Sequence, residues 1–401
     1  VRCDEVETIE FNRDKGIGIT IYAGQRKGYA STSDFSPQAL RETVEAALAI
    51  ARFTAADDCA GLAEAALMAK GGPDLDLYHP WALTVEDAIA TARRCEQAAF
   101  DASPLVSNSE GASISTQQAQ FVAANSLGFA GGYPTSRHYI SCSVIAGEND
   151  GMQRDDWYTT HRDAAQLDDP LRVGRIAAER AVARLGGRKV RTGDFPVLFE
   201  ATLAGGLLGS LVHAASGGAL YRKSSFLLDH LGKRVMPEFV NIGERPHIKC
   251  GLGSASFDSD GVATRDREVV SGGILQGYFL SAYTARKLGM QTTGNAGGSH
   301  NLIIEPGDLD LDGLLRKMDR GLLVTELLGQ GINYVTGDYS RGAAGYWVEN
   351  GSIAYPVEEI TIAGNLKAML AGIVAVGTDV LVRGSKQTGS ILVDRMTVAG
   401  E

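Results

Sequence analysis

His213 is the residue whose surroundings most suggest chemistry. It lies in a stretch, 201–221, that carries no formal charge, although 21% of the residues in the chain are charged. An imidazole can act as a general base or as a ligand for zinc. The stretch could be a membrane span, a buried helix or the helix of a catalytic site, and the residues around His213 distinguish these interpretations.

The composition of this stretch argues against a membrane span. A span needs about 20 strongly apolar residues, whereas glycines and polar residues interrupt this one. Apolar residues recur at spacings of three and four, which is typical of an amphipathic helix. They are Leu203, Leu207, Leu211 and Ala214. We therefore predict a buried helix over 201–216 that Gly217-Gly218 would end.

No other histidine or cysteine lies in a recognisable metal-binding pattern. The remaining histidines are His79, His138, His161, His230, His247 and His300. The cysteines are Cys3, Cys59, Cys95, Cys142 and Cys250. They include no C-x-x-C, and their number is odd and their spacing wide, so we expect reduced thiols. The sequence thus offers no substitute metal site.

Several long segments resemble one protein family. They are LVHAASGGALYRKSSFLLD around His213, GLGSASFDSDGVATRDRE, TGNAGGSHN, TGDYSRGAAGYWVENGSIAYPV and EEITIAGNLKAML. These segments resemble the TldD/PmbA family, long described as modulators of DNA gyrase and now regarded as metalloproteases. The resemblance covers essentially the whole chain, is densest from about residue 200 onward, and is to the PmbA (TldE) branch.

The resemblance assigns the metal chemistry to the other branch of the family. TldD-type chains carry H-E-x-x-x-H on the corresponding helix, with a cysteine near the C-terminus as a further zinc ligand. In this chain the three motif positions are His213, Ala214 and Gly218, and the tail after Val380 contains no cysteine. One imidazole cannot hold a catalytic zinc, and alanine cannot accept a proton. We expect no metal in this chain and a hydrogen-bonded core or interface role for His213.

The same resemblance implies a partner. In a TldD/TldE-like cytoplasmic metalloprotease, a TldD-like subunit would supply the zinc, both histidines and the glutamate. This chain would complete the chamber that admits unfolded or short peptides. The pairing would then be a heterodimer, and a homodimer is the other possibility. The alternative function is a protease-independent, homodimeric binding or regulatory protein of the gyrase-modulator type.

Three polar clusters are candidates for contact with a substrate or partner. They are Tyr221-Arg222-Lys223, the loop from Asn295 to His300, and Ser340-Arg341. The first follows the interrupted helix and could form a charged wall of a shared chamber. The second is rich in glycine, which lets backbone approach a ligand closely. In the third, the arginine could bind a peptide carboxylate bidentately.

The charge balance argues against an extended nucleic-acid surface. The net charge is −10 and the chain has no long basic run, whereas nucleic-acid surfaces cluster lysine and arginine. We expect neither direct nucleic-acid binding nor membrane association. Because the chain begins with valine, we expect its native start to be missing.

Helical and strand-like segments are mixed along the chain, which predicts an α+β fold rather than a doubly wound parallel sheet. Ser36 and Thr84 are expected to cap helices. Asn350-Gly351 predicts a type I′ hairpin. We predict strands at 6–12, 17–23, 27–32, 112–125 and 138–147, and helices at 37–53, 84–101, 170–185, 281–288 and 364–372.

The basic, glycine-rich segment 186–194 is the predicted domain boundary. It separates an N-terminal α+β domain, 1–190, from a strand-rich domain, 191–401, that contains the degenerate metalloprotease helix. The resemblance implies a layered α/β-type N-terminal domain and a C-terminal curved-sheet or barrel-like domain.

Overall fold

The computed structural model describes residues 1–401 apart from the side chain of residue 150. The first unit is a hairpin covered by a helix: β1 (Ile17–Ala23), β2 (Arg26–Thr32) and α1 (Pro37–Phe53). Ser36 caps α1 as predicted, because its side chain accepts a hydrogen bond from the Ala39 N–H. Gly28 allows the helix to lie close, since a Cβ there would meet the Ala47 carbonyl oxygen at 1.9 Å.

The predicted strand at 6–12 is wrong. This segment belongs to no strand. Its apolar side chains face outward, with Val6, Ile9 and Phe11 39%, 59% and 91% exposed. An alternating pattern forms a strand only where a neighbouring strand and a buried face receive it, and this segment has neither.

A three-stranded antiparallel sheet with two helices forms the next layer. Its elements are α2 (Val85–Ala102), β3 (Val106–Ala124), β4 (Ala130–Ala146), β5 (Gln153–His161) and α3 (Pro170–Ala183). Thr84 caps α2 as predicted. The helices pack tightly, because Gly174 places α3 where a Cβ would lie 1.9 Å from the Cys95 carbonyl oxygen. Polar β5 lacks apolar alternation, and the sequence pattern did not predict it.

The C-terminal half is built from short helices and many strands. Its elements are β6 (Gly193–Phe199), α4 (Ala201–Ala214), α5 (Gly217–Tyr221), β7 (Ile242–Glu244), β8 (Arg267–Ser271), β9 (Ile274–Leu275), α6 (Ala282–Lys287), β10 (Leu302–Ile304), α7 (Leu311–Met318), β11 (Gly321–Leu328), β12 (Asp338–Glu349), β13 (Ser352–Asn365), α8 (Leu366–Ala371), β14 (Ile373–Val376), β15 (Lys386–Gln387) and β16 (Ile391–Ala399).

Five of these strands close into a barrel in the order β6-β11-β12-β13-β16, with β13 pairing with β16 and β16 with β6. The remaining strands form a separate sheet in the order β15-β10-β7-β8-β9, and β14 extends the barrel at β16. The type I′ hairpin is confirmed, since Asn350 and Gly351 both have positive φ between β12 and β13. The α+β fold and the barrel-like C-terminal sheet are confirmed as well.

An ionic network joins the helical layer to the barrel. Arg180 on α3 donates two hydrogen bonds to Glu200, at 2.8 and 3.1 Å, and one to Asp155 at 3.1 Å. Glu200 immediately precedes α4, so the network fixes the start of the helix that carries His213. The domain boundary near 190 stays a prediction. No helix of the described residues combines the length and apolarity that crossing a membrane requires.

Candidate functional site

The helix that carries His213 is broken. α4 ends at Ala214, and Ser216, in extended conformation, caps a second helix, α5. The Ser216 side chain accepts a hydrogen bond from the Ala219 N–H at 3.4 Å. Gly217 therefore begins a helix instead of ending one, which corrects the predicted single helix over 201–216. A side-chain cap at Ser216 restarts the chain in helical geometry two residues after the first helix ends.

His213 lies on the outer face of α4, not in the core. The side chains of Leu207, Leu208 and Leu211 on the opposite face enter the barrel core, whereas His213 is exposed. Its ring stacks on Tyr334 with 3.9 Å between ring centroids. The core interpretation of His213 is therefore wrong, because the apolar stripe of α4 leaves position 213 on the solvent side. The interface interpretation stays a prediction.

The two positions that accompany His213 in the motif differ in their surroundings. Ala214 is fully buried, and its carbonyl oxygen accepts a hydrogen bond from Ser225 Oγ at 2.6 Å. Gly218 lies beneath Arg222. A Cβ on Gly218 would be 3.4 Å from Arg222 Nη2 and 3.6 Å from Nη1. A guanidinium thus occupies the space into which a side chain at position 218 would project.

The Tyr221-Arg222-Lys223 cluster forms a polar and aromatic surface after α5. Arg222 and Lys223 are exposed. Arg222 Nη1 donates to Tyr221 Oη at 3.2 Å, and the guanidinium lies over the Tyr221 ring. Tyr221 also packs edge-on against Tyr283 on α6. The cluster is thus ordered by contacts within the chain while its cationic groups remain accessible.

The loop from Asn295 to His300 is held by a buried polar network. Asn295 Nδ2 donates to Glu244 Oε1 at 2.8 Å, and Asn295 Oδ1 accepts from Arg267 Nη2 at 3.1 Å. Arg267 Nε donates to Glu244 Oε2 at 2.6 Å, and the His300 N–H donates to Glu244 Oε1 at 2.8 Å. The Asn295 side chain is 5% exposed. The Asn295 side chain therefore points into the protein, whereas the His300 side chain is half-buried.

Ionisation in the same region is perturbed by burial. Burial raises the pKa of Asp258 to about 6, although backbone N–H groups, including that of Ala296, donate to its carboxylate and favour the charged form. The nearby charge of Asp260 raises the pKa further. Asp258 therefore links the 295–300 loop to the turn at 258–262.

Ser340 and Arg341 lie near the start of β12, at the rim of the barrel. Ser340 is exposed, and its backbone N–H donates to the Gly331 carbonyl oxygen at 2.7 Å. Arg341 Nη2 donates to the Leu327 carbonyl oxygen at 3.3 Å. Its buried Nε has no hydrogen-bond partner among the described residues. Burial raises the pKa of the adjacent Tyr339 to about 12, which keeps that phenol neutral.

Three family models cover nearly the whole chain. The PmbA/TldA metallopeptidase C-terminal domain matches residues 192–400, the central domain of that family matches 78–185, and its domain 1 matches 1–51. The chain belongs to the PmbA/TldD family.

Relatives and solved structures agree with this assignment. The metalloprotease PmbA homolog of Haemophilus influenzae and the metalloprotease PmbA of Escherichia coli O157:H7 are each 50% identical over 400 residues, which is all of this chain and 89% of each relative. A modulator of DNA gyrase from Bacteroides thetaiotaomicron superposes with a TM-score of 0.91 at 29% identity, covering 96% of this chain and 88% of that one. TldE from Thermococcus kodakarensis, at 19% identity, shares the fold with a TM-score of 0.83, covering 100% of this chain and 93% of that one.

Membership of the PmbA/TldD family implies a zinc ion of the metallopeptidase type. The residues of α4 and α5 show whether this chain could bind it. At the three motif positions they offer one exposed imidazole, a buried methyl group and a glycine covered by a guanidinium. Segment 381–401 contains no cysteine. This set provides one ligand and a fixed positive charge, and it does not fit a zinc ion.

A different cluster of potential metal ligands was not predicted from the sequence. Asp76, His79 and Cys250 place one potential ligand atom each within 4.8 Å of one another. Burial and the Asp76 side chain raise the pKa of the Cys250 thiol. The D-x-x-H spacing of Asp76 and His79 was the available signal, but Cys250 joins them only through the fold.

Proposed function

We propose that this chain is the subunit of a TldD/TldE-type metalloprotease that lacks the catalytic zinc. The observation that carries the proposal is the Arg222 guanidinium against Gly218, at the position where a TldD-type chain has its second histidine. Like charges in contact repel, so the arginine and a zinc ion would not share this space. The buried methyl group of Ala214 provides no general base.

In this proposal a TldD-like partner supplies the zinc and the base, and the present chain contributes the facing wall of the chamber. The accessible cations Arg222 and Lys223, beside the Tyr221 and Tyr283 rings, suit the carboxylate and backbone carbonyl groups of an extended peptide. Arg341 at the barrel rim is a second candidate for the peptide carboxylate. The substrate would be an unfolded or short peptide.

Reconstitution tests the proposal. The purified chain is mixed with a TldD-like chain that carries H-E-x-x-x-H, complex formation is followed by light scattering, and cleavage of an unstructured peptide is measured with and without EDTA. We expect EDTA-sensitive cleavage in the mixture. The cleavage should be abolished when the partner's motif glutamate is changed to glutamine and unaffected by His213→Ala here.

Two outcomes would contradict the proposal. EDTA-sensitive cleavage by this chain alone, lost on His213→Ala, would place the catalytic metal here. Failure to form any complex, together with a stable homodimer, would favour the protease-independent regulatory function.

The chamber wall is tested separately with matched arginine variants. Arg222→Ala should raise the KM of the reconstituted complex several-fold with little change in kcat, because the guanidinium would bind substrate without touching the reacting bond. Arg234→Ala is the control, since Arg234 is also exposed but binds the Gly272 carbonyl on another surface. Equal KM values for the two variants would show that Arg222 does not contact the substrate.

A further inference from the structure

Asp76, His79 and Cys250 meet where two distant parts of the chain touch. Asp76 and His79 lie in the extended segment that leads to α2, and Cys250 lies in the loop after β7. Cys250 Sγ is 3.5 Å from His79 Nε2 and 3.4 Å from Asp76 Oδ2. His79 Nε2 is 3.1 Å from Asp76 Oδ1. The three side chains are of the types that bind zinc.

The separations match those around a tetrahedral metal. With zinc–sulfur bonds of about 2.3 Å and zinc–nitrogen and zinc–oxygen bonds of about 2.0–2.2 Å, tetrahedral ligands lie about 3.5–3.6 Å apart when one is sulfur and about 3.3–3.4 Å apart otherwise. The observed distances of 3.5 Å between sulfur and nitrogen, 3.4 Å between sulfur and Asp76 Oδ2, and 3.1 Å between nitrogen and Asp76 Oδ1 lie within a few tenths of an ångström of these values, with the two carboxylate oxygens each facing one of the other ligands. Small side-chain adjustments would complete the geometry.

The direction of the imidazole distinguishes a metal site from a catalytic relay. In a nucleophile–histidine–carboxylate relay, one ring nitrogen faces the nucleophile and the other faces the carboxylate. Here the same nitrogen of His79, Nε2, faces both the Cys250 sulfur and the Asp76 carboxylate. The thiol and the imidazole nitrogen therefore face the same carboxylate group, the sulfur beside Oδ2 and the nitrogen beside Oδ1, which is an arrangement that suits a shared metal ion better than a relay.

Hydrogen bonds from both sides hold the cluster in place. The His79 N–H donates to Ser136 Oγ at 2.7 Å, and the His79 carbonyl accepts from His138 Nε2 at 2.8 Å. The Cys250 N–H donates to the Leu75 carbonyl at 2.9 Å. Buried Arg162 donates to the carbonyl oxygen that follows Cys250, that of Gly251, at 3.0 Å. The ligands are thus preorganised on fixed backbone.

We propose that Asp76, His79 and Cys250 form a binding site for a thiophilic divalent cation of the zinc type, with water in the fourth coordination position. The Asp76 and His79 side chains are 47% and 28% exposed, which leaves an entry path from solvent. Binding releases the Cys250 thiol proton to solvent, and His79 keeps its remaining ring proton on Nδ1. The bound ion fastens the segment before α2 to the C-terminal half.

Cobalt titration of the purified chain tests this site, because a cobalt–thiolate bond gives a near-ultraviolet charge-transfer band. We expect one Co²⁺ per chain with this band, displaced by Zn²⁺, and a higher Tm with Zn²⁺ than with EDTA. Cys250→Ser should abolish the band, whereas Cys59→Ser, a half-buried cysteine elsewhere, should retain it. Asp76→Asn, which conserves shape, should weaken Zn²⁺ binding at least about 10-fold.

The wild-type titration requires no variant to fold, so the proposal is decided even if a substitution is disruptive. Absence of a thiolate band in wild type at excess Co²⁺ would overturn the site and leave the cluster as a set of hydrogen bonds. An unchanged band in Cys250→Ser would overturn it equally. Neither outcome bears on the zinc-free assignment of α4 and α5, which His213→Ala tests.

Discussion

Gly217 and Gly218 are adjacent in sequence, yet we predict opposite effects of replacing them by alanine. A Cβ on Gly217 would lie 2.3 Å from Thr284 Oγ1, 2.5 Å from Thr284 Cβ and 2.9 Å from Leu280 Cδ2. Thr284 cannot simply turn away, because it forms a capping box with Ser281 at the start of α6. A Cβ on Gly218 would meet only the flexible end of Arg222.

These contacts set the expected magnitudes. Gly217→Ala should cost about 1–3 kcal/mol through overpacking, with up to about 1 kcal/mol more if the α6 cap is disturbed. Gly218→Ala should be neutral or stabilising by up to about 0.5–1 kcal/mol, since alanine favours the helix. These costs amount to a difference of about 1–5 kcal/mol between the two variants, which at about 2–4 °C per kcal/mol corresponds to a difference in Tm of roughly 2–20 °C.

Thermal unfolding followed by circular dichroism, with urea unfolding at 25 °C as a second measurement, gives the comparison. Wild type is the reference, and each glycine variant is the matched control for the other. Equal Tm values, or a lower Tm for Gly218→Ala, would refute the inferred packing of α5 on α6 and with it the geometry of the break between α4 and α5.

Three further predictions concern the same half of the chain. Ala214→Glu with Gly218→His should give a destabilised protein without EDTA-sensitive peptide cleavage, because the glutamate would be buried and no third ligand exists; robust cleavage would contradict this. Because folding raises the pKa of Asp258 from 3.8 to about 6, its contribution to the unfolding free energy is fully present only below the unfolded value and falls by up to about 3 kcal/mol as the pH rises through 6. Asp258→Asn should lack this loss, and pH profiles of stability that run parallel for wild type and variant would refute the prediction. The chain alone should form a dimer through its C-terminal half, so a monomeric mass by light scattering at micromolar concentration would count against it.

Local signals in the sequence predicted much of the fold. Ser36 and Thr84 cap their helices because a cap needs only the next three residues. Asn350-Gly351 forms its turn because both residues accept positive φ. The strand at 6–12 failed because pairing depends on a neighbour that the segment itself does not specify. Ser216 is a residue type that commonly caps helices, but the glycines after it resemble a helix end. The sequence therefore predicted the end of one helix where a second helix begins.

The candidate site depended more on contacts between distant residues. The absence of a base at position 214 and of a ligand at 218 was readable directly. The position of the Arg222 guanidinium over Gly218 could not be predicted from the sequence, because it depends on the direction of the backbone after the end of α5. Cys250 reaches His79 across 171 positions of sequence, and no spacing rule connects residues so far apart.

The zinc content of the Cys250→Ser variant tests the central claim most directly, because this background removes the other cluster and isolates α4 and α5. The purified variant is dialysed against a low concentration of Zn²⁺ and analysed for bound metal, beside the double variant that also carries His213→Ala. The account predicts no stoichiometric zinc in either protein. Close to one zinc per chain in Cys250→Ser, lost when His213→Ala is added, would contradict it.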